Sequence, residues 1–155
     1  MSGFIAIAPA VDKSTVLRNS GFFPDIDLKV LRDTVRLDNT VTEARIDHSA
    51  VSAMASVNRE LRDWRVEQQA AGYRNLEAVP AEHIDGTSEL VTLYLRAVYS
   101  LVEATIRERY RDFDTTADGH KHADAQESPI DDLKRDARWA IRDLLGRTHT
   151  TVELI

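Results

Sequence analysis

No cysteine occurs in the 155 residues, so disulfides and thiolate metal sites are excluded and nothing points to an oxidising compartment. Glycine is scarce, and the six that occur are not grouped, so there is no glycine-rich loop to cradle a phosphate. No serine sits in a Gly-x-Ser-x-Gly elbow, and His48 and His83 stand apart from any nucleophile visible in the sequence; nucleophilic catalysis has no support. No apolar run approaches the roughly 20 residues that span a bilayer. The segment Met1–Ala10 lacks the basic leader of a signal peptide, so membrane and secreted roles are not expected and synthesis in the cytoplasm is the default. Lysine is also rare, outnumbered by arginine sixteen to four, a bias that suits bidentate contacts at subunit interfaces but also follows from genome composition. With 26 acidic against 20 basic side chains the net charge is −6, which argues against a dedicated duplex-DNA binder.

What remains is an ordinary globular composition, 43% hydrophobic and 30% charged, enough for one domain with a real core. The expected fold is all-α, a four-helix bundle-like body at 22–146 with an extended N-terminal arm at 1–21 and a short C-terminal β-arm at 147–155. The first twenty or so residues show no helical period. Pro24 forbids a continuing strand, and Asp25 or Asp27 can cap a short helix over 27–37 carried by Leu28, Leu31 and Val35. Thr42 can cap a long second helix whose apolar stripe is Ile46, Ala50, Met54, Val57, Leu61 and Trp64, ending near Gly72. A linker with Pro80 and Asp85-Gly86 as turn residues follows, then a third helix over about 87–110, apolar on most of its circumference as a central helix should be. The polar, acidic stretch 112–127 reads as a mobile loop. Ser128-Pro129 with Asp131 reads as the start of a fourth helix, with Ile130, Leu133, Ala137, Ile141 and Leu144 as its buried stripe.

After Gly146 the chain alternates. Val152 and Leu154 fall on one face of Thr148–Ile155, and His149, Thr151 and Glu153 on the other, yet a single short strand cannot satisfy its own backbone. It needs a host sheet or groove, which on a helical body points to another chain. Val152, Leu154 and Ile155 are therefore the candidate docking residues. Phe22-Phe23 either staples the first helix onto its own bundle, the preferred reading, or inserts into a neighbour; Arg138-Trp139 on an outer helix is a second candidate contact between subunits. The run Asp118-Gly119-His120-Lys121-His122-Ala123-Asp124 could grip a divalent cation if extended, but Lys121 intervenes and a solvated loop usually looks like this. Arg107, Arg109 and Arg111 are interrupted by Glu108 and followed by Asp112, and a helix C-terminus attracts cations in any case.

The order of several short motifs is more informative than any one of them. Phe22-Phe23-Pro24-Asp25-Ile26-Asp27, then Ala71-Gly72-Tyr73 with Leu76, Val79-Pro80-Ala81 and Ile84-Asp85-Gly86, then Glu108-Arg109-Tyr110-Arg111, Arg138-Trp139-Ala140 and Leu154-Ile155, resembles the head completion/stabilisation proteins of P2-like tailed phages, the GpL family. The resemblance runs from about residue 21 to the end. It implies a non-enzymatic virion protein at the head–tail neck, made in the host cytoplasm, that joins the portal vertex of the filled head, helps retain the genome and offers the platform for the tail. It further implies copies arranged in a ring matching a twelvefold portal, contacts with the portal protein and with tail or neck proteins, and packaged DNA passing through without sequence-specific binding. No cofactor and no metal are expected. On this view the acidic residues Asp112, Asp114, Asp118, Asp124 and Glu127 are candidates to face the channel. The competing readings are a metal-dependent nuclease using Asp118, His120, His122 and Asp124, and a small helical regulatory binding protein.

Overall fold

The computed structural model describes residues 15–36, 41–111 and 119–148. These are mainly helical, with two small antiparallel ladders. β1 (Val16–Leu17) pairs with β2 (Ile26–Asp27), and the chain passes directly into α1 (Leu28–Thr34). Asp27 caps α1, its Oδ1 accepting the amides of Lys29 at 2.8 Å and Val30 at 3.2 Å, which satisfies two of the donors that a helix start leaves open.

The predicted second helix is present with one interruption. α2 (Glu43–Glu60) and α3 (Arg62–Ala70) meet at Leu61, whose φ of −90° and ψ of 6° depart from helical values while its amide still bonds Val57 and its carbonyl still accepts from Arg65. Ile46, Ala50, Met54, Val57 and Leu61 are buried as the spacing requires, whereas α3 buries no residue fully. Gly72 ends the run with φ +99°: its amide bonds the Gln69 carbonyl and that of Tyr73 bonds Gln68, a paired closure that needs a left-handed residue.

A 3₁₀ turn at Leu76–Ala78 leads to a hairpin of β3 (His83–Ile84) and β4 (Thr87–Ser88). Its turn residues Asp85 and Gly86 both have positive φ, 51° and 75°, the mirror-image turn that matches strand twist. α4 (Glu89–Arg111) then runs through the middle of the molecule, packed chiefly against α5 (Gly119–Leu144) and α2. Val91, Tyr94, Ala97, Val98, Val102 and Ile106 bury one side of α4, and partly buried leucines extend that surface, which accounts for its nearly all-round apolar pattern. Arg96–Asp136 at 3.8 Å and Lys134–Glu108 link α4 to α5 through charged side chains.

Two expectations change. Residues 119–127 are helical and not a loop, because α5 begins ahead of Ser128-Pro129 and carries Pro129 in its interior. Ala123, Ala125, Gln126 and Glu127 are good helix formers, and their contribution offsets the hydrogen bond that Pro129 cannot donate. The helices among the described residues number five, since Leu61 divides the second.

Candidate functional site

The structure separates the predicted contact residues into an inward group and an outward one. Phe22 and Phe23 are inward, each only 3% exposed, and so are not available to a neighbouring subunit. Phe23 stacks on Tyr94 with ring centroids 4.8 Å apart and planes 8° from parallel, while Phe22 meets Phe23 edge-on at 5.1 Å and Trp64 at 6.3 Å. The Leu76 amide donates to the Phe22 carbonyl at 2.8 Å, tying this segment to the 3₁₀ turn.

Beside the rings lies a closed polar triangle invisible in the sequence. Asn19 Nδ2 donates to Tyr94 Oη at 2.8 Å, Tyr94 Oη donates to Asn58 Oδ1 at 2.7 Å, and Asn58 Nδ2 donates back to Asn19 Oδ1 at 2.8 Å. Asn19 also donates to the Pro24 carbonyl and, through its amide, to Asp25, so one side chain fastens the incoming segment to α2 and α4 together. Burial pushes the Tyr94 hydroxyl up to about 12, against a smaller opposing effect of the Asn19 hydrogen bond. Burial, with a further contribution from the nearby Asp27 charge, also raises Tyr99. Residues 15–20, expected to belong to an extended arm, are thus part of the folded body. Two open clefts of about 310 and 350 Å3 flank this region, one beside Gly21–Asp25 and the other on α4 around Leu95 and Tyr99.

The outward group lies on α5. Arg138 is exposed, and Arg135 sits over the half-buried Trp139 ring at 4.8 Å, holding an aromatic and two guanidinium groups along the outer turns. The end of α5 fixes where the chain leaves. Gly146, at φ +64°, closes the helix with its amide on Asp143 and the next amide on Arg142. The Arg142 guanidinium then donates twice to the Thr148 carbonyl, at 3.2 and 2.5 Å, holding the root of the segment that follows. Val152, Leu154 and Ile155 lie outside the described residues, as do Asp112, Asp114 and Asp118 and the side chains of Asp124 and Glu127.

The metal-grip reading requires an extended 118–124, and the backbone from Gly119 is helical instead. No helix among the described residues is long and apolar enough to cross a membrane.

Comparison with known proteins agrees with the motif order. The family model described as phage head completion protein (GPL) matches residues 17–155. The match begins within β1. The head completion/stabilization protein of Escherichia phage P2 is 42% identical over 153 residues, covering 99% of this chain and 90% of that protein. No solved structure matches. A match over almost the whole described body, together with that level of identity, places the chain in the phage head completion protein (GPL) family.

Proposed function

We propose that this chain completes the DNA-filled head by binding the portal vertex, helps retain the packaged genome and forms, as a ring of copies, the platform to which the tail attaches. Family membership supports the head-completion part, and the name of the P2 relative, a head completion/stabilization protein, supports stabilisation. The observation that carries the docking part is the end of α5. Gly146 stops the helix and Arg142 holds Thr148, so the alternating segment beyond leaves from a defined root. In this reading Val152, Leu154 and Ile155 anchor on the portal while backbone hydrogen bonds add a strand to it. Many weak arms act together in a ring, and avidity of this kind multiplies affinity by roughly 10²–10⁴ without any single strong contact.

Arg138 and Trp139 on the outer face of α5 contribute to contacts between neighbours. The acids Asp112, Asp114, Asp118, Asp124 and Glu127 face the channel, where like charge keeps DNA from adhering to the wall. The test is electron microscopy of the purified chain mixed with portal rings of the same phage. A ring seated on the portal is expected; bare portals at saturating concentrations of the chain count against the reading.

A further inference from the structure

The folded body carries two exposed surfaces of opposite character. The first runs along the outside of α2 and α3. Steps of three and four connect His48, Val51, Ala55, Arg59, Arg62 and Val66, every one of them exposed, on the side opposite the buried stripe. The α2 part of this exposed stripe, from His48 to Arg59, is about 16 Å long at 1.5 Å per residue, and Arg62 and Val66 continue it on α3. It contains no acid, although the chain has 26. Val51 and Val66 are 52% and 54% exposed, and between them Arg59 and Arg62 make no ion pair or side-chain hydrogen bond among the described residues. Glu60, Asp63 and Glu67 border the stripe along one edge, Asp63 four residues from Arg59.

The second surface is the β3–β4 hairpin. No lysine or arginine occurs between Arg74 and Arg96, while Glu77, Glu82, Asp85 and Glu89 all do. All four acids are exposed; Glu77 faces the His83 imidazole at 3.7 Å, which leaves Glu82, Asp85 and Glu89 nearest in sequence to Ile84, at 66% the most exposed large hydrophobic residue of the described chain. Ile84 pairs across the ladder with exposed Thr87, whereas the neighbouring Ser88 is buried, so the hairpin turns its apolar tip outward. The tip is held in advance: Asp85-Gly86 closes the turn, and the Glu89 amide donates to the Glu82 carbonyl at 2.9 Å, so little ordering cost remains on binding.

We propose that these are the two halves of one interface, the acidic hairpin of one copy seating on the arginine-and-valine stripe of the next. Ile84 packs beside Val51 or Val66, and Glu82 and Asp85 meet Arg59 and Arg62. Because the surfaces are different patches of the same chain, the contact is heterologous and propagates from copy to copy, closing into a ring when the rotation permits. The inference rests on the proposed ring and names the surface that builds it. DNA is the weaker occupant for the stripe, because two arginines flanked by exposed valines on a chain of net charge −6 offer little counterion release.

The absence of cysteine makes the test clean. The full-length chain carrying Ile84→Cys is mixed with a Val51→Cys or Val66→Cys chain, assembled on portal rings and oxidised. A disulfide-linked heterodimer with at least one of the two valine positions is expected, and none with Val30→Cys, an equally exposed site on α1. In parallel, Arg59→Glu/Arg62→Glu and Glu82→Arg/Asp85→Arg should each weaken assembly on the order of a hundredfold, and equimolar mixtures of the two should alternate and recover part of the loss. Circular dichroism confirms that each variant remains folded. Wild-type rings that form, with both charge-reversed variants assembling as well and no crosslink appearing, overturn the interface while leaving the ring intact. Loss of DNA retention with unchanged assembly assigns the stripe to DNA instead. A wild-type chain that forms no ring on the portal overturns the ring and this interface together.

Discussion

The two junctions at which the chain enters and leaves its helical body are built in opposite ways. At the entrance, Asn19, Phe22 and Phe23 are drawn into the core and every polar group of the Asn19–Tyr94–Asn58 triangle has a partner. At the exit, Gly146 and Thr148 are exposed and the chain is held by backbone caps and one arginine. The entrance spends its aromatic surface on the monomer's own stability. The exit spends none, and fixes only a direction. Under the proposed docking, the first device keeps the body stable while the second leaves the C-terminal segment for a partner.

Substitutions can break this contrast in order of expected size. Phe23→Ala should have the largest effect, removing a ring that is 3% exposed and stacked on Tyr94. A loss of about 3–5 kcal/mol is expected in chemical denaturation; a loss below ~1 kcal/mol would mean the entrance is not part of the core. Tyr94→Phe keeps the ring but opens the polar triangle, at a cost of about 1–3 kcal/mol.

The same residue gives the entrance a pH signature. The folded-state value of Tyr94 is raised from 10.0 to about 12. Above pH 10 the unfolded chain releases a proton that the folded chain retains, so the contribution is complete below pH 10 and is lost as pH rises toward 12, by about 3 kcal/mol. Urea titrations across that window should show the decline in wild type and a shallower one in Tyr94→Phe, where Tyr99 remains. Equal slopes in the two proteins would remove Tyr94 from the account. At the exit, Gly146→Ala places a side chain at φ +64° and should cost about 1–2 kcal/mol. Arg142→Ala should be the smallest in stability, within about 1 kcal/mol, yet it should accelerate amide hydrogen exchange just beyond Gly146.

The helical part of this fold was legible because it rests on local periodicity. The stripe from Ile46 to Leu61, the nearly all-round apolar α4 and the stops at Gly72 and Gly146 follow from spacing and from residues that tolerate positive φ. The ladders were not legible, since two-residue strands such as Val16–Leu17 leave no period to detect. Nor was the triangle, whose members are separated by up to 75 residues. The N-terminus of α5 misled for a physical reason: Ser128-Pro129 is a strong start signal, but the helix formers before it extend the helix past the proline. For Phe22-Phe23 the sequence left two readings, and only the surrounding Trp64 and Tyr94 decide for the core. The α2–α3 stripe and the Ile84 hairpin are not legible in the sequence, because their exposure depends on which faces the body covers.

The contrast between the two junctions is tested most directly by removing residues 149–155 and measuring both stability and binding to portal rings. The truncated chain should unfold at the same denaturant concentration as the full chain, because it keeps every residue of the described core, and should no longer bind the portal measurably. A truncated chain that binds as the full one does, or that loses its fold, would contradict the account.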